Sequence, residues 1–281
     1  MNQDEETISL SSRVTASIVL YRQSASEVRP LFESLTRQSV LASWVAVNNG
    51  GAEDACSLAS SMGGRVIHAT NVGYGCGNNL GAREVMHEGQ YHLFVNPDVR
   101  FDAGALEQLC TFMDQHPDIG QVMPQILYED GSHQHLCKLL PTPFDLFIRR
   151  FLGNAGRAIF RSRWNAYEMQ DVDLSIAREV PSLSGCFMFV RTAALETVGL
   201  FDERYFMYLE DVDLCRRIGA RYRTAFYPHV SIFHGYNKGS YQGSRLLRLH
   251  IQSAIQYFNK WGWFRDPERD RINARKAPIP E

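Results

Sequence analysis

The chain has 281 residues, room for one large α/β domain or two smaller ones, and 44% hydrophobic with 21% charged residues is enough to bury a sizeable core. Its net charge of -2 argues against a dedicated nucleic-acid binder, whose phosphate contacts call for a strong basic excess. Six scattered cysteines with no CxxC pair read as buried free thiols of a reducing compartment. The opening MNQDEETISLSSR is acidic and polar rather than signal-like, no uninterrupted apolar run approaches a membrane span, and a cytoplasmic protein is expected.

The β-branched run VTASIVLY (14–21) predicts a first strand, VRPLFESLTRQ (28–38) a helix and WVAVNN (44–49) a second strand. EDACSLASSM predicts a short helix and RVIHAT (65–70) a third strand. The Gly/Asn-rich NVGYGCGNNLGAREVM reads as a loop feeding a helix, and YHLFVNPD (91–98) as a hydrophobic strand stopped by proline. Such alternation implies an α/β fold with a mostly parallel central sheet flanked by helices, binding ligands at the carboxyl ends of its strands. DAGALEQLCTFMDQHP (102–117) is helical, and VMPQILYEDGSHQH suggests a strand and an EDG turn. Next, Arg149, Arg150, Arg157, Arg161 and Arg163 follow one another with no acid between Asp145 and Glu168, either a solvated helix face or a basic amphipathic surface. Strand, helix and loop signals lead through VPSLSGCFMFVRTAALETVGLFDERYF into the acidic FMYLEDVDLCRR (206–217), and TAFYPHVSIFHG (224–235) supplies a further strand. The tail, 245–276, carries basic residues from Arg245 to Lys276 around the aromatic cluster YFNKWGWF.

GYGCGNNLG invites a dinucleotide reading and fails it, because Asn78 and Leu80 stand at the two third-glycine positions of GxGxxG. What it keeps is a loop with two amides, Asn78 and Asn79, and a backbone able to approach a ligand; a simple turn explains it too. FVNPDV leaves Asp98 at the carboxyl end of a strand, where it could hold a divalent metal that clamps a diphosphate, or merely cap a turn. His234 in IFHGYNKGS is either structural or a supplement to an oxygen-rich metal site, and Lys238 or Arg245 could neutralise phosphate. The alternate spacing of His133, His135 and Cys137 fits one face of a surface strand better than a zinc site. For Glu210, Asp211 and Asp213, the helix dipole and an Asp213–Arg217 pair are a sufficient structural explanation, and a general base at a pocket mouth is the functional one.

Taken in order, ASIVLYRQ, VAVNNGG, NVGYGCGNN, FVNPDVRFD, SGCFMFVRTAALETVGLFDERYFMYLEDVDLCRRI and FHGYNKGS resemble a family 2 glycosyltransferase of the GT-A fold. More narrowly, they resemble the bacterial rhamnosyltransferase-like branch that builds surface polysaccharides, over roughly residues 14 to 245. The resemblance implies a flexible tail at 1–12, a GT-A domain at 13–244 and a basic, aromatic helical extension at 245–281. Within the domain, about 13–100 would bind the nucleotide and about 101–244 the acceptor. It also implies inverting transfer from a nucleotide diphosphate sugar, dTDP-rhamnose in this branch, with base and ribose against Leu20, Tyr21, Arg22 and Asn48. Asn71, Gly73 and Asn79 would line the nucleotide side. The family's DxD metal motif falls on Asn96, Pro97 and Asp98, so that Asp98 with His234 would hold Mg or Mn, and Asp211 matches the catalytic base. Two departures stand out: Asn48 replaces an Asp after the second strand, and Asn96 replaces a DxD carboxylate, so a metal would be held by less negative charge.

Inverting transfer needs one base for the acceptor hydroxyl and one electrophilic clamp for the departing diphosphate. Asp211 is the expected base, Glu210 orients acceptor or loop, and Asp213 is expected on the helix surface with Arg216 or Arg217. Lys238 would add a cation, and Ser184 and Gly185 either approach the donor sugar or simply turn into a strand. The basic segments suit a lipid-linked or lipopolysaccharide acceptor at the inner face of the cytoplasmic membrane, Arg149 to Arg163 and the tail 245–276 resting on anionic headgroups with Trp261, Trp263 and Phe264 at the interface, or equally a helical extension packed on the domain or on a second subunit as a homo-oligomer. A UDP-hexose or galactofuranose donor, or a noncatalytic sugar-nucleotide or polysaccharide-binding module, are the competing readings.

Overall fold

The computed structural model describes residues 13–147, 159–235 and 244–280. Parts of the expected basic stretch (Arg149, Arg150, Arg157), Lys238 and the tail 1–12 lie outside them. The chain runs β1 (Val14–Leu20), α1 (Ala25–Thr36), β2 (Leu41–Asn48), α2 (Glu53–Ser61), β3 (Arg65–His68), α3 (Tyr74–Val85), β4 (Tyr91–Val95), β5 (Val99–Phe101) and α4 (Ala105–Gln115). It continues through β6 (Ile119–Leu127), α5 (Pro143–Phe147), α6 (Arg161–Tyr167), β7 (Arg178–Glu179), β8 (Phe187–Arg191) and α7 (Thr192–Val198). The last elements are α8 (Glu210–Arg221), β9 (Arg223–His234), α9 (Ser244–Trp261) and α10 (Pro267–Asn273).

One sheet runs in the order β3-β2-β1-β4-β8-β6-β9-β5, with β7 beside β9. β1 and β4 are buried along their whole length, as parallel strands covered on both faces must be. The expectation of a mostly parallel sheet needs correction. β3, β2, β1 and β4 are parallel, as are β6 and β9, but β8 is antiparallel to both β4 and β6, and β5 and β7 are antiparallel to β9. This mixture matters for the site. The reversed β8 begins where β4 ends, pairing Val95 with Phe187, and β5 begins where β9 ends, pairing Val99 with His234. Four chain segments therefore converge on the carboxyl edge of the sheet.

Local chemistry explains most boundaries. α1 starts three residues earlier than its apolar periodicity suggests, because Ser24 and Glu27 form a capping box, with the Glu27 carboxylate accepting the Ser24 N–H at 2.7 Å. α3 starts directly after Gly73, so Asn78 and Asn79 lie inside a helix rather than in a loop. Residues 133–137 form no strand; His133 makes only an isolated bridge to Leu127.

The C-terminal residues are laid onto the body. α9 buries Tyr257 and Phe258 in a cluster with Leu146, Tyr205 and Leu209. α10 is tied to α8 by a buried bidentate pair between Arg216 and Asp266, both contacts 2.6 Å, and the Asp266 side chain also caps α10 through the Arg269 N–H. Ala277 and Ile279 then pair with the backbone at Glu179 and Ala177. Among the described residues, no helix is long and apolar enough to cross a membrane.

Candidate active site

α8 is entered through two consecutive left-handed residues, Tyr208 (φ 71) and Leu209 (φ 66). Neither is glycine, and the conformation costs about 1–2 kcal/mol per residue. Tertiary contacts hold it: Leu209 is buried against α9, the Ser253 hydroxyl donates to the Met207 carbonyl at 2.8 Å, and the Tyr208 and His250 rings lie 5.3 Å apart. The turn thereby presents Glu210 and Asp211 at the positive end of α8.

Asp211 faces the loop before β8. The Gly185 N–H donates to its Oδ2 at 3.0 Å and the Val212 N–H to its Oδ1 at 2.8 Å. A Cβ on Gly185 would sit 2.9 Å from the Asp211 Cβ, so only glycine permits this approach. The loop is itself held: the Tyr74 hydroxyl donates to the Gly185 carbonyl at 2.9 Å, while the Tyr74 N–H donates to the Phe206 carbonyl at 3.0 Å. One residue at the start of α3 thus braces both sides of the acid pair. Nothing in sequence marked Tyr74 beyond an aromatic between two glycines.

Glu210 is buried, and its Oε2 has no hydrogen-bond partner. Burial, then the neighbouring Asp211 charge, pushes its carboxyl up to about 8. Burial also raises Asp211, opposed by the N–H groups of Val212 and Gly185 and by the charge of Lys138. Two adjacent carboxylates in such a place share their protons. The orphan Glu210 is the one that keeps its proton near neutral pH, and Asp211, with two donors aimed at it, is the one that ionises.

On the other side of Cys186 stands the second group. The His234 Nε2 lies 3.3 Å from the Asp98 Oδ1, and its Nδ1 is 3.1 Å from the Gln134 Oε1, which fixes the ring. The Cys186 thiol is pushed up to about 12, by burial first and then by the charges of Asp98 and Asp211 on either side, so it is a neutral spacer. Asn96 donates its N–H to the Cys186 carbonyl at 2.9 Å, which places the NPD turn against the same loop. Asp98 is exposed and His234 buried, so a carboxylate and an imidazole face each other at this edge. That donor pair fits Mg or Mn only if diphosphate oxygens and water complete the shell. Among the described residues, no group of three or more His, Cys, Asp or Glu could hold a metal by itself.

The expected nucleotide side divides. Tyr21 and Arg22 are exposed at the end of β1, with the guanidinium 5.1 Å from the Tyr21 ring centroid and Gly50 against the ring's other atoms. Leu20 is wholly buried. Asn48 faces inward: its Oδ1 accepts the Gly50 and Ala52 N–H groups at 3.0 and 3.3 Å, bracing the turn into α2 instead of facing solvent. Asn79 is also wholly buried, with its amide spent on the Phe201 backbone, 2.9 and 3.0 Å, and on Glu203. Asn71 is exposed, and its Oδ1 accepts from Asn49, a residue sequence reasoning passed over, whose amide pins Val72 and Gly73. Gly73 lies where a Cβ would collide with the Phe206 carbonyl oxygen, so its glycine serves packing of α3 against the acid-bearing turn.

Asp213 departs furthest from expectation. It is fully buried, not on the helix surface. Its oxygens accept from Arg217 Nε at 2.8 Å, Lys260 Nζ at 2.7 Å and Trp261 Nε1 at 2.8 Å. The Arg217 pairing holds as expected, but Arg216 turns away to Asp266. A cleft of about 590 Å³ lies at the opposite edge, near Arg13, Tyr91 and Asp114, but these groups satisfy one another, with Arg13–Asp114 at 2.7 Å and the Tyr91 hydroxyl donating to Asp114 at 2.6 Å. The Glu210 oxygen without a partner and the Asp98–His234 pair lie instead at the carboxyl edge.

No protein-family model matches the chain. Over 182 residues it is 32% identical to the N-acetylglucosaminyl-diphospho-decaprenol L-rhamnosyltransferase of Mycobacterium tuberculosis, covering 63% of this chain and 58% of that protein, so it spans under two thirds of this relative's length. It is 25% identical over 226 residues to the rhamnosyltransferase WbbL of Escherichia coli, covering 72% of this chain and 76% of that one. Among solved structures, GalNAc-T7 with UDP, GalNAc and Mn2+ aligns with a TM-score of 0.63 at 14% identity, covering 89% of this chain and 48% of that one. S. aureus TarS 1–349 aligns at 0.56 and 16% identity, covering 93% and 69%. The structural likenesses show a GT-A-like α/β fold. In sequence the chain is similar to rhamnosyl- and hexosyltransferases.

Proposed function

We propose that the protein is an inverting, metal-dependent glycosyltransferase that moves L-rhamnose from dTDP-rhamnose to a hydroxyl of a saccharide acceptor in bacterial surface polysaccharide synthesis, such as O-antigen or lipopolysaccharide. The observation that carries this reading is the Asp211 carboxylate held by the Gly185 N–H across Cys186 from the Asp98–His234 pair. The names of the mycobacterial and E. coli relatives motivate the sugar, and the former motivates a lipid-linked acceptor. Such an acceptor would place a cytoplasmic enzyme at the inner face of the membrane.

Asp211 takes the acceptor proton on a carboxylate oxygen while the acceptor oxygen bonds to the anomeric carbon and the bond to the diphosphate oxygen breaks on the opposite face. Each Asp211 oxygen accepts one backbone N–H and keeps a lone pair for that proton. Protonated Glu210 leaves a single negative charge on the pair, and Tyr74 holds the Gly185 peptide in place. Asp98 and His234 would hold a Mg or Mn ion, which supplies electrostatic stabilisation of the departing diphosphate. Tyr21 and Arg22 offer an exposed ring and cation to the nucleotide, and Asn71 an exposed amide; Ser184, Gly185 and Asn96 complete the proposed donor side, with Lys238, outside the described residues, as the proposed extra cation.

Gly185→Ala is expected to lower kcat on the order of 10²-fold by displacing Asp211, with the melting temperature nearly unchanged; unaltered kcat would separate Gly185 from the base. A screen of nucleotide sugars for binding and hydrolysis, with and without Mg or Mn, tests the donor. dTDP-rhamnose should give the strongest signal, and chelation should abolish turnover. A strong UDP-sugar response with none from dTDP-rhamnose would overturn the sugar assignment.

A further inference from the structure

From Leu214 to Arg265 the chain contains no Asp or Glu, and α9 lies within that stretch. Its inner face is accounted for by Ser253, Tyr257 and Phe258, which pack on the turn that carries the acid pair. Its outer face is not. Arg248, Ile251 and Ile255 are exposed at spacings of three and four residues, one side of a helix. Ile251 is 38% and Ile255 45% exposed, and just past the helix end Trp263 is 39% and Phe264 90% exposed, followed by exposed Arg265. Single exposed apolar residues need no explanation. Two isoleucines one turn apart, continued by tryptophan and phenylalanine and bounded by arginines without an acid, have the composition of an interfacial helix.

We infer that the outer face of α9 with the turn at Trp263–Arg265 docks on an anionic lipid bilayer, an inference that deepens the lipid-linked acceptor reading above and rests on it. Charge complementarity selects this occupant: the arginines meet anionic headgroups while the isoleucines and Phe264 enter the acyl boundary, their cationic neighbours reaching back to the surface. The position is also apt. The inner face of the same helix holds Met207 through Ser253 and Tyr208 through His250, so a docked α9 fixes the acid-bearing turn relative to the bilayer that carries the acceptor.

The test is flotation of the full chain with vesicles of phosphatidylglycerol and phosphatidylcholine in equal parts, against phosphatidylcholine alone. Binding is expected to the anionic vesicles only, to weaken as salt is raised, and to fall about tenfold or more in Ile255→Ser/Phe264→Ser. Melting temperature and transfer to a water-soluble saccharide acceptor should be unchanged in that variant. No binding to anionic vesicles, equal binding by the variant, or a dimer that the variant dissociates without vesicle binding would overturn the inference. Absence of transfer with intact vesicle binding would instead count against the proposed reaction.

Discussion

Asp211→Asn is expected to lower kcat by about 10²–10⁴-fold while leaving the dissociation constant of the nucleotide sugar nearly unchanged. The amide oxygen can still accept the Gly185 N–H, so the loop geometry survives, but asparagine cannot take a proton. Glu210→Gln is the matched control. Glutamine imitates the protonated acid that burial favours at this position, and kcat should stay within about a few-fold if Glu210 is not the base. The pH profile carries the sign. Asp211 must be ionised to act, and burial has raised both members of the pair, so turnover should fall as pH drops, beginning above the range of an ordinary carboxylate. A large loss in Glu210→Gln with an active Asp211→Asn would exchange their roles.

Asp213→Ala is expected to destabilise the fold by about 3–5 kcal/mol, measured by denaturant unfolding. It removes a buried anion and leaves Lys260 and Arg217 facing one another across the gap. Arg217 keeps the carbonyls of Val198, Gly199 and Leu200, and Lys260 keeps Asp202, so the fold should persist. The pair variant Asp213→Leu/Lys260→Met should recover part of the loss, because removing both partners leaves no unpaired charge. A surface acid would cost only about 0.5 kcal/mol, so a change that small would contradict the buried clamp.

What sequence made legible and what it hid differ in kind. The segments that follow β1, β2, β3, β4 and β9 were readable because the rule that α/β sheets bind ligands at the carboxyl ends of their strands needs no knowledge of packing, whereas Gly185 precedes β8 and the acid pair opens a helix. The reversed β8 was not readable, since its direction depends on pairing with β4 and β6, far away in sequence. The family resemblance put Asn48 and Asn79 on the nucleotide side, and in the structure each satisfies buried backbone groups that would otherwise be orphaned. Asp213 showed an i,i+4 partner, which is true on either side of a helix; only the packing of α9 decides that this side is inside. Tyr74 braces two loops through contacts across the fold, one to its neighbour in space at Phe206 and one to Gly185, and no local pattern encodes either.

The anomeric configuration of the product bears most directly on a single base facing a single electrophilic clamp. With dTDP-rhamnose, Mg or Mn and a saccharide acceptor, proton NMR of the newly formed glycoside should show inversion relative to the donor, and Asp211→Asn should form it far more slowly. Retention of configuration would contradict the account, because it requires either two successive displacements through a group that attaches to the sugar or attack from the face the diphosphate leaves, and neither is the single in-line displacement for which Asp211 is the base.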